Sequence, residues 1–333
     1  MSKNKRIKRS PNKRNLGLGR NAKYAAKNAL AQAYGGDAHY STRFTHHSRF
    51  LSFLDWLSNI DPPITDLRSI TLEHAMKYGE GLATAVQCDE MEVSYAQNLL
   101  STVNVVMRAV RLDREISLSP SQVVGKRSYI RETLPDASWD KIYQAVELAE
   151  QQGNIRGAAF ILMTRAFGMR AREAALADLS RLKKELDLNG SVHVLEGTKG
   201  GFKSEDRIIQ IEAEQRRALE YAINAVSESG TCLIDTNDSY KEFLNRCINP
   251  VRPLLKAVGI RCPHDLRAEM FIEVYERESG QQAPLKQCGA FDRDADLLGR
   301  KAVGRHGGHK RPTVSTSYIG KRHRTNREGE ETR

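Results

Sequence analysis

Long apolar runs are missing from this sequence. None approaches the roughly 18 residues that a membrane-crossing helix requires, and the amino terminus lacks the apolar centre of a signal peptide. The expectation is a cytoplasmic protein with no membrane partner. Cysteine is scarce and scattered. Cys88, Cys232, Cys247, Cys262 and Cys288 are five in number, lie far apart and form no Cys-x-x-Cys pair. An odd, dispersed set argues against a disulfide framework or a structural zinc site and for free thiols in a reducing compartment. A phosphate-binding P-loop is also absent. Gly197-Thr198-Lys199-Gly200-Gly201-Phe202-Lys203 has its lysine in the wrong place for one, and Gly17-Leu18-Gly19 neither follows a strand nor opens a helix. Clustered carboxylates are missing as well, so no metal or cofactor is expected. Acidic residues are absent from the first 36 positions.

What is present is positive charge. Across 333 residues, Lys and Arg number 52 against 41 Asp and Glu, a formal surplus of +11. Ten of the basic residues precede the first acid, Asp37: Lys3, Lys5, Arg6, Lys8, Arg9, Lys13, Arg14, Arg20, Lys23 and Lys27. The other end is basic again through Arg300, Lys301, Arg305, Lys310, Arg311, Lys321, Arg322 and Arg324. With 40% hydrophobic and 28% charged residues the body of the chain is globular, with roughly two domains. Basic ends on such a body point to a polyanion, because each Lys or Arg set on a phosphate releases condensed counterions. No amphipathic anchor accompanies the first basic run, so nucleic acid is preferred to a membrane surface.

Along the chain, residues 1–36 read as a basic flexible arm, with few large apolar side chains in the first 20. Residues 37–115 read as a small helical domain. Phe50, Leu51, Leu54 and Leu57 recur at helical spacing before Asp61-Pro62-Pro63, and a second helix covers Thr71 to Ala83. A third carries the stripe Ala96, Leu99, Leu100, Val103, Val106 and Val110. Serine, proline and glycine loosen the pattern over 116–136, which reads as a linker. Residues 137–333 form the second domain. A helix with Trp139, Ile142, Val146 and Ala149 on one face leads to an almost wholly apolar central helix, Ala158 to Phe167. Val192 to Leu195 and Ile208 to Ile211 read as a β-hairpin. Helices follow over Ala213 to Val226, Tyr240 to Val258 and Asp265 to Glu278, with a last element near Thr313 to Ile319. Residues 280–308 carry no clear periodicity, and no internal repeat is visible. The fold class is mainly α with a small β-hairpin.

Four segments of the second half carry phosphate-handling chemistry. Gly168-Met169-Arg170-Ala171-Arg172-Glu173 follows the apolar helix; a plain C-cap with a surface ion pair is the bland reading. Lys199 lies at the hairpin tip, where it is a solvated loop residue or a functional cation. His264-Asp265-Leu266-Arg267 places His264 and Arg267 on one helical face, or is an ordinary helix start. Gly308-His309 precedes Tyr318 by nine residues. A lone tyrosine is more often packing than nucleophile, and no segment is decisive singly.

In that order and spacing the second half resembles the tyrosine recombinase, or phage integrase, family. The resemblance covers about Ala137 to Tyr318, with the helical first half similar in architecture to the family's core-binding domain. It assigns Arg170 to the first arginine box, Lys199 to the hairpin lysine, His264 and Arg267 to His-x-x-Arg, His309 to the last histidine and Tyr318 to the nucleophile. His306 lies close enough to His309 to compete. The stretch from Arg267 to His309 is longer than in compact members, with Gly299 to Gly308 as an insertion or DNA-contact loop.

The resemblance implies a site-specific recombinase for integration and excision of a mobile element, cutting and rejoining DNA through a covalent 3′-phosphotyrosine. Arg170 and Arg267 would present planar charged forks to the phosphate oxygens. Lys199 would protonate the leaving 5′-oxygen, His264 would act as a base or phosphate hydrogen-bonding group, and His309 as a second phosphate donor. Glu173 would orient the arginine box. Partners would be double-stranded DNA, three further copies in a homotetrameric synapse, and DNA-bending accessory proteins. The competing readings are a type IB topoisomerase or telomere resolvase, and a noncatalytic DNA-binding protein of the same fold. The basic arm contacts flanking DNA or is only a solvated tail; the sequence leaves both open.

Overall fold

The computed structural model describes residues 8–35, 39–201, 203–226, 230–286, 290–309 and 311–322. The chain divides into two compact units, Met1–Ser128 and Tyr129–Arg333. Among the described residues no helix is long and apolar enough to cross a membrane. Cys88, Cys232, Cys247 and Cys262 are free thiols, and Cys288 lies outside the described residues.

The first unit is helical: α1 (Ala22–Tyr34), α2 (Tyr40–Asn59), α3 (Leu72–Gln87), α4 (Val93–Arg111) and the single turn α5 (Pro120–Val123). Helix α4 is the centre, and α1, α2 and α3 pack on it. Its stripe Ala96, Leu99, Leu100, Val103, Val106 and Val110 is buried, as the three- and four-residue spacing demands. Phe50 and Phe53 of α2 and Tyr78 of α3 pack beside it, the Phe53 and Tyr78 rings 5.0 Å apart.

The arm expected over residues 1–36 is different in the structure. Asn21 caps α1 by accepting from Lys23 N at 2.8 Å, and Ala25, Ala26, Ala29 and Leu30 enter the core together with Leu18. Arg9 donates to the carbonyls of Ala109 and Val110, each at 2.6 Å, and so caps the end of α4 with a cation. Buried Asn15 accepts from Leu67 N at 2.8 Å and donates to the carbonyls of Gly19 and Arg20. The alanine-rich contact face of α1 gave little periodicity against the exposed lysines around it. Lys3, Lys5 and Arg6 lie outside the described residues, as do Lys310 and Arg324.

The expected linker, 116–136, is also occupied by packed chain. Val124, just after α5, is buried in the first core. Arg131 lies in the second unit, its guanidinium paired with Asp265 at 2.6 Å and its N–H donated to Thr316 O at 3.0 Å.

The second unit comprises α6 (Trp139–Gln151), α7 (Ile155–Phe167), α8 (Ala171–Leu176), α9 (Leu179–Asn189), β1 (Ser191–His193), β2 (Ile208–Gln210), α10 (Ala213–Asn224), α11 (Tyr240–Phe243), α12 (Asn249–Ala257), α13 (Pro263–Ser279), α14 (Arg293–Gly307) and α15 (Thr316–Ile319). A π turn, Leu244–Ile248, joins α11 to α12. Every residue of α7 from Gly157 to Phe167 is buried, which is why its apolar character runs all round, and α6, α10, α12 and α13 surround it. Its one buried cation, Arg165, pairs with Glu273 and donates to Ala137 O at 2.9 Å. Strands β1 and β2 pair antiparallel with Val192 opposite Ile209. The architecture is mainly helical with this one small sheet, as the sequence predicted.

Residues 280–308, unassigned from sequence, contain α14. Asp292 caps it by accepting from Ala295 N at 2.7 Å, and Ala302 and Val303 pack with Phe271, Ile272 and Tyr275 of α13 and Ile319 of α15. Gly299 to Gly308 is thus helix and helix cap rather than an inserted loop. Its charged and glycine-bearing composition hid a short apolar face.

If α1 is a core element, Leu30→Ala will lower stability by about 2–5 kcal/mol, the range for a buried leucine. Urea denaturation of the intact chain measures this; a solvated arm would leave the midpoint unchanged.

Candidate active site

Helix α7 ends at Gly168, whose φ of +57° suits glycine and whose Cβ, if present, would lie 2.9 Å from the Phe271 ring. The chain turns there, buries Met169 and sets Arg170 as the residue that opens α8. Glu173, three residues on, accepts from Arg170 N at 2.7 Å and from Arg170 Nη1 at 2.6 Å. The spacing of this box is therefore a helix cap that also aims a guanidinium.

Glu173 is fully buried and holds more than one arginine. Arg207 Nη2 donates to it at 2.7 Å, and Arg267 Nη1 stands 3.5 Å away. Burial alone pushes a carboxyl group upward. Here the hydrogen bond and charge of Arg207, the charge of Arg267 and the Arg170 backbone outweigh it and bring Glu173 to about 2. It is anionic at neutral pH.

Arg267, on the first turns of α13, is 1% exposed and donates to Gly168 O and, at 3.1 Å, to Gly307 O. Burial lowers it to about 10, which still leaves it cationic at neutral pH. Its Nε lies 3.4 Å from the Tyr318 hydroxyl, and its guanidinium sits over the Phe271 ring at 4.5 Å. Tyr318, on α15, packs edge-on against Phe271 and is 5% exposed.

His309 follows the left-handed cap Gly308 of α14. Its Nε2 is 3.2 Å from Arg170 Nη2 and 3.4 Å from the Tyr318 oxygen. An arginine can only donate, so Nε2 accepts and the ring proton sits on Nδ1. Burial, then the charges of Arg170 and Arg267, lowers His309 to about 4. His264 is brought to about 4 by burial and then by Arg267 and Arg131, and its ring lies 5.2 Å from the Tyr318 ring. Both imidazoles are neutral at physiological pH. His306, the competing histidine, lies on α14 and contributes its carbonyl to Arg207 Nε at 2.9 Å.

Arg170, Lys199, His309 and Tyr318 line one cleft of about 460 Å³ together with Arg207. Lys199 is exposed on the turn Lys199–Gly201. Arg267 and His264 stand against Tyr318. The six predicted residues thus converge. Arg207 was missed: a single arginine after Ser204-Glu205-Asp206 reads as surface charge, and nothing in the sequence signals that it is 1% exposed.

The integrase family model matches residues 125–273, which include Arg170, Lys199, His264 and Arg267. No curated protein matches the sequence. Among solved structures, the lambda integrase dimer bound to a COC′ core site is 16% identical, with 88% of this chain and 75% of that chain covered and a TM-score of 0.53. The Tn1549 transposon integrase in complex with circular intermediate DNA is 12% identical, covering 89% and 95%, with a TM-score of 0.52. A lambda integrase tetramer bound to a Holliday junction is 14% identical, covering 87% and 74%, at 0.52. These likenesses concern the fold. Over residues 125–273 the chain is of the integrase family, the family that the order and spacing of its motifs resemble. It is a DNA breaking-rejoining enzyme of site-specific recombination.

The site makes the protein acid-sensitive. The unfolded chain protonates these histidines near 6.5, whereas folded His264, His306 and His309 do so only near 4. Between those values the unfolded state binds more protons, so stability falls as pH is lowered through the window. Glu173, about 2 folded against 4.5 unfolded, extends the loss to lower pH. Urea midpoints are expected to decline from pH 7 to 4.5, and His306→Gln to flatten that decline.

Proposed function

We propose that Tyr318 attacks a backbone phosphate of duplex DNA at a specific site, displacing the 5′-oxygen and leaving a 3′-phosphotyrosine. The observation that carries this reading is the Tyr318 hydroxyl within 3.4 Å of both Arg267 Nε and His309 Nε2, in one cleft with Arg170 and Lys199.

The bond from Tyr318 Oη to phosphorus forms as the bond from phosphorus to O5′ breaks. An unperturbed phenol has a pKa near 10, so its proton must leave during attack. A neutral imidazole can take it, and His309 Nε2 is the one within reach of the tyrosine oxygen once Arg170 Nη2 turns from it to the phosphate; His264, equally neutral, is then available to hydrogen-bond the phosphate. Arg267 Nε supports the developing phenolate. Arg170, which lines the cleft, donates to the non-bridging oxygens, where negative charge grows in the transition state, and Arg267, its two Nη atoms held by Gly168 O and Gly307 O, adds its charge beside Tyr318. Lys199 Nζ gives its proton to the departing 5′-oxygen. Attack of another 5′-hydroxyl on the phosphotyrosine reverses these steps and rejoins the strand, so bond energy is conserved.

The chain would act on DNA at the ends of a mobile element, as four copies joining two duplexes, with DNA-bending proteins assisting. Support comes from the basic composition and from neighbours solved on a core site, a circular intermediate and a Holliday junction.

A library of nicked duplexes with random sequence tests this. Strands that stay linked to the protein under denaturing conditions are isolated and sequenced. Wild type is expected to capture strands that share one sequence, and Tyr318→Phe none. Capture by Tyr318→Phe would overturn the nucleophile, and strands with no shared sequence would indicate a topoisomerase. Arg170→Lys is expected to slow adduct formation by about 10²–10³, the usual loss for one transition-state donor.

A further inference from the structure

The hairpin that carries Lys199 is fastened to the arginine box at both of its limbs. On the outgoing limb, Gly197 has φ +67° and lies so close to α8 that a Cβ would stand 2.3 Å from Arg172 O and 2.9 Å from Glu173 Cα. On the returning limb, Arg207 immediately precedes β2 and accepts from Val194 N at 3.3 Å through its carbonyl. Its side chain leaves the hairpin. Nη2 donates to Glu173 Oε2 at 2.7 Å, and Nε to His306 O, the last turn of α14, at 2.9 Å. Nη1 is buried without a hydrogen-bond partner among the described residues. An arginine with 1% exposure and an unpaired donor is an unfavourable way to hold a surface hairpin, and any apolar side chain would avoid that burden.

The lysine tip lies between these two moorings, and Arg207 lines the same cleft as Lys199. We infer that Arg207 is a positioning residue for the general acid: by bridging Glu173 and the end of α14 it holds the hairpin so that Lys199 Nζ meets the departing 5′-oxygen. This rests on the assignment of Lys199 as proton donor. Arg207 itself transfers no proton. Lysine could keep the charge at position 207 but not the two-directional fork that reaches Glu173 and His306 together.

The test uses the full chain and a duplex captured by the wild-type protein, made with either oxygen or sulfur at the bridging 5′ position. A 5′-thiolate leaves without a proton, so a defect in proton delivery disappears on the sulfur substrate, whereas a defect in gripping the phosphate persists. Single-turnover adduct formation is measured for wild type, Lys199→Ala, Arg170→Lys and Arg207→Lys, with thermal unfolding and DNA binding followed in parallel. General acids contribute about 10²–10⁴ in rate. Lys199→Ala is expected to lose that much on the oxygen substrate and to recover to within about tenfold of wild type on the sulfur one. Arg207→Lys, folded and binding DNA, should lose about tenfold or more on oxygen and recover in the same way, while Arg170→Lys stays slow on both.

Recovery of Lys199→Ala without recovery of Arg207→Lys overturns the inference and leaves Lys199 as the acid. No recovery of Lys199→Ala removes the acid assignment and the inference with it. An Arg207→Lys protein with wild-type rates on both substrates, or one that has lost its thermal transition or its DNA binding, also overturns it, the arginine then being dispensable or simply part of the fold. Gly197→Ala, which disturbs the other mooring, should show the same recovery on sulfur; a loss equal on both substrates counts against a shared role of the two limbs.

Discussion

A single buried carboxylate holds the candidate site together. Glu173 lies within 3.5 Å of guanidinium nitrogens from Arg170, Arg207 and Arg267, which come from a helix start, a hairpin and the front of α13. Without it, three cations would be packed side by side at low dielectric, where their repulsion and lost hydration are large. With it, the cluster is tolerable but still cationic, since one carboxylate faces three arginines. That residual charge, beside a cleft, is what a phosphodiester would neutralise. Burial first, and then the same field, keeps His264 and His309 neutral: protonating either would place another cation in a desolvated group that already has an excess.

The scaffold supplies the convergence. Helix α7 is apolar on every side and occupies the middle of the second unit, so its end at Gly168 is fixed by packing in all directions. Helix α13 crosses it, and Arg267 ties the two by donating to Gly168 O. Helix α14 lies on α13, delivers His309 past its cap and receives the Arg207 bond at its last turn. Tyr318 sits on a single helical turn, α15. Its ring packs on Phe271, and Arg131, paired with Asp265 beside His264, donates its backbone N–H to Thr316 O. Arg170, Arg267, His309 and Tyr318 are thus carried at helix ends or on a single turn and located by longer, well-packed helices, whereas Lys199 rides an exposed hairpin turn.

Much of this was legible before the structure, and the parts that were not share a cause. The stripe of α4 and the apolar run of α7 announced themselves because large side chains at helical spacing have one physical explanation. Helix α1 did not, because alanines bury little area each and its lysines dominate the composition. Helix α14 was obscured by its charges and glycines. At the site, Gly-Met-Arg-x-x-Glu and His-x-x-Arg, each within one turn of helix, were readable through their order and spacing with Lys199, His309 and Tyr318, which carry the family resemblance. Arg207 was invisible, since a residue after a polar loop carries no mark of the acid it will meet.

Covalent connectivity and helical periodicity were enough to determine the local pieces: an arginine capped by its own glutamate three residues on, a histidine and an arginine on one face of α13, a tyrosine nine residues beyond a histidine. Only tertiary structure decided that His309 and not His306 stands by the tyrosine oxygen, that Leu18 and α1 join a core rather than an arm, and that Glu173 also binds an arginine 34 positions away. The physical reason is range. Neighbours in sequence are placed by bond geometry, whereas the Arg170 to His309 contact, across 139 residues, exists only because the apolar faces of α7, α13 and α14 have one way to pack.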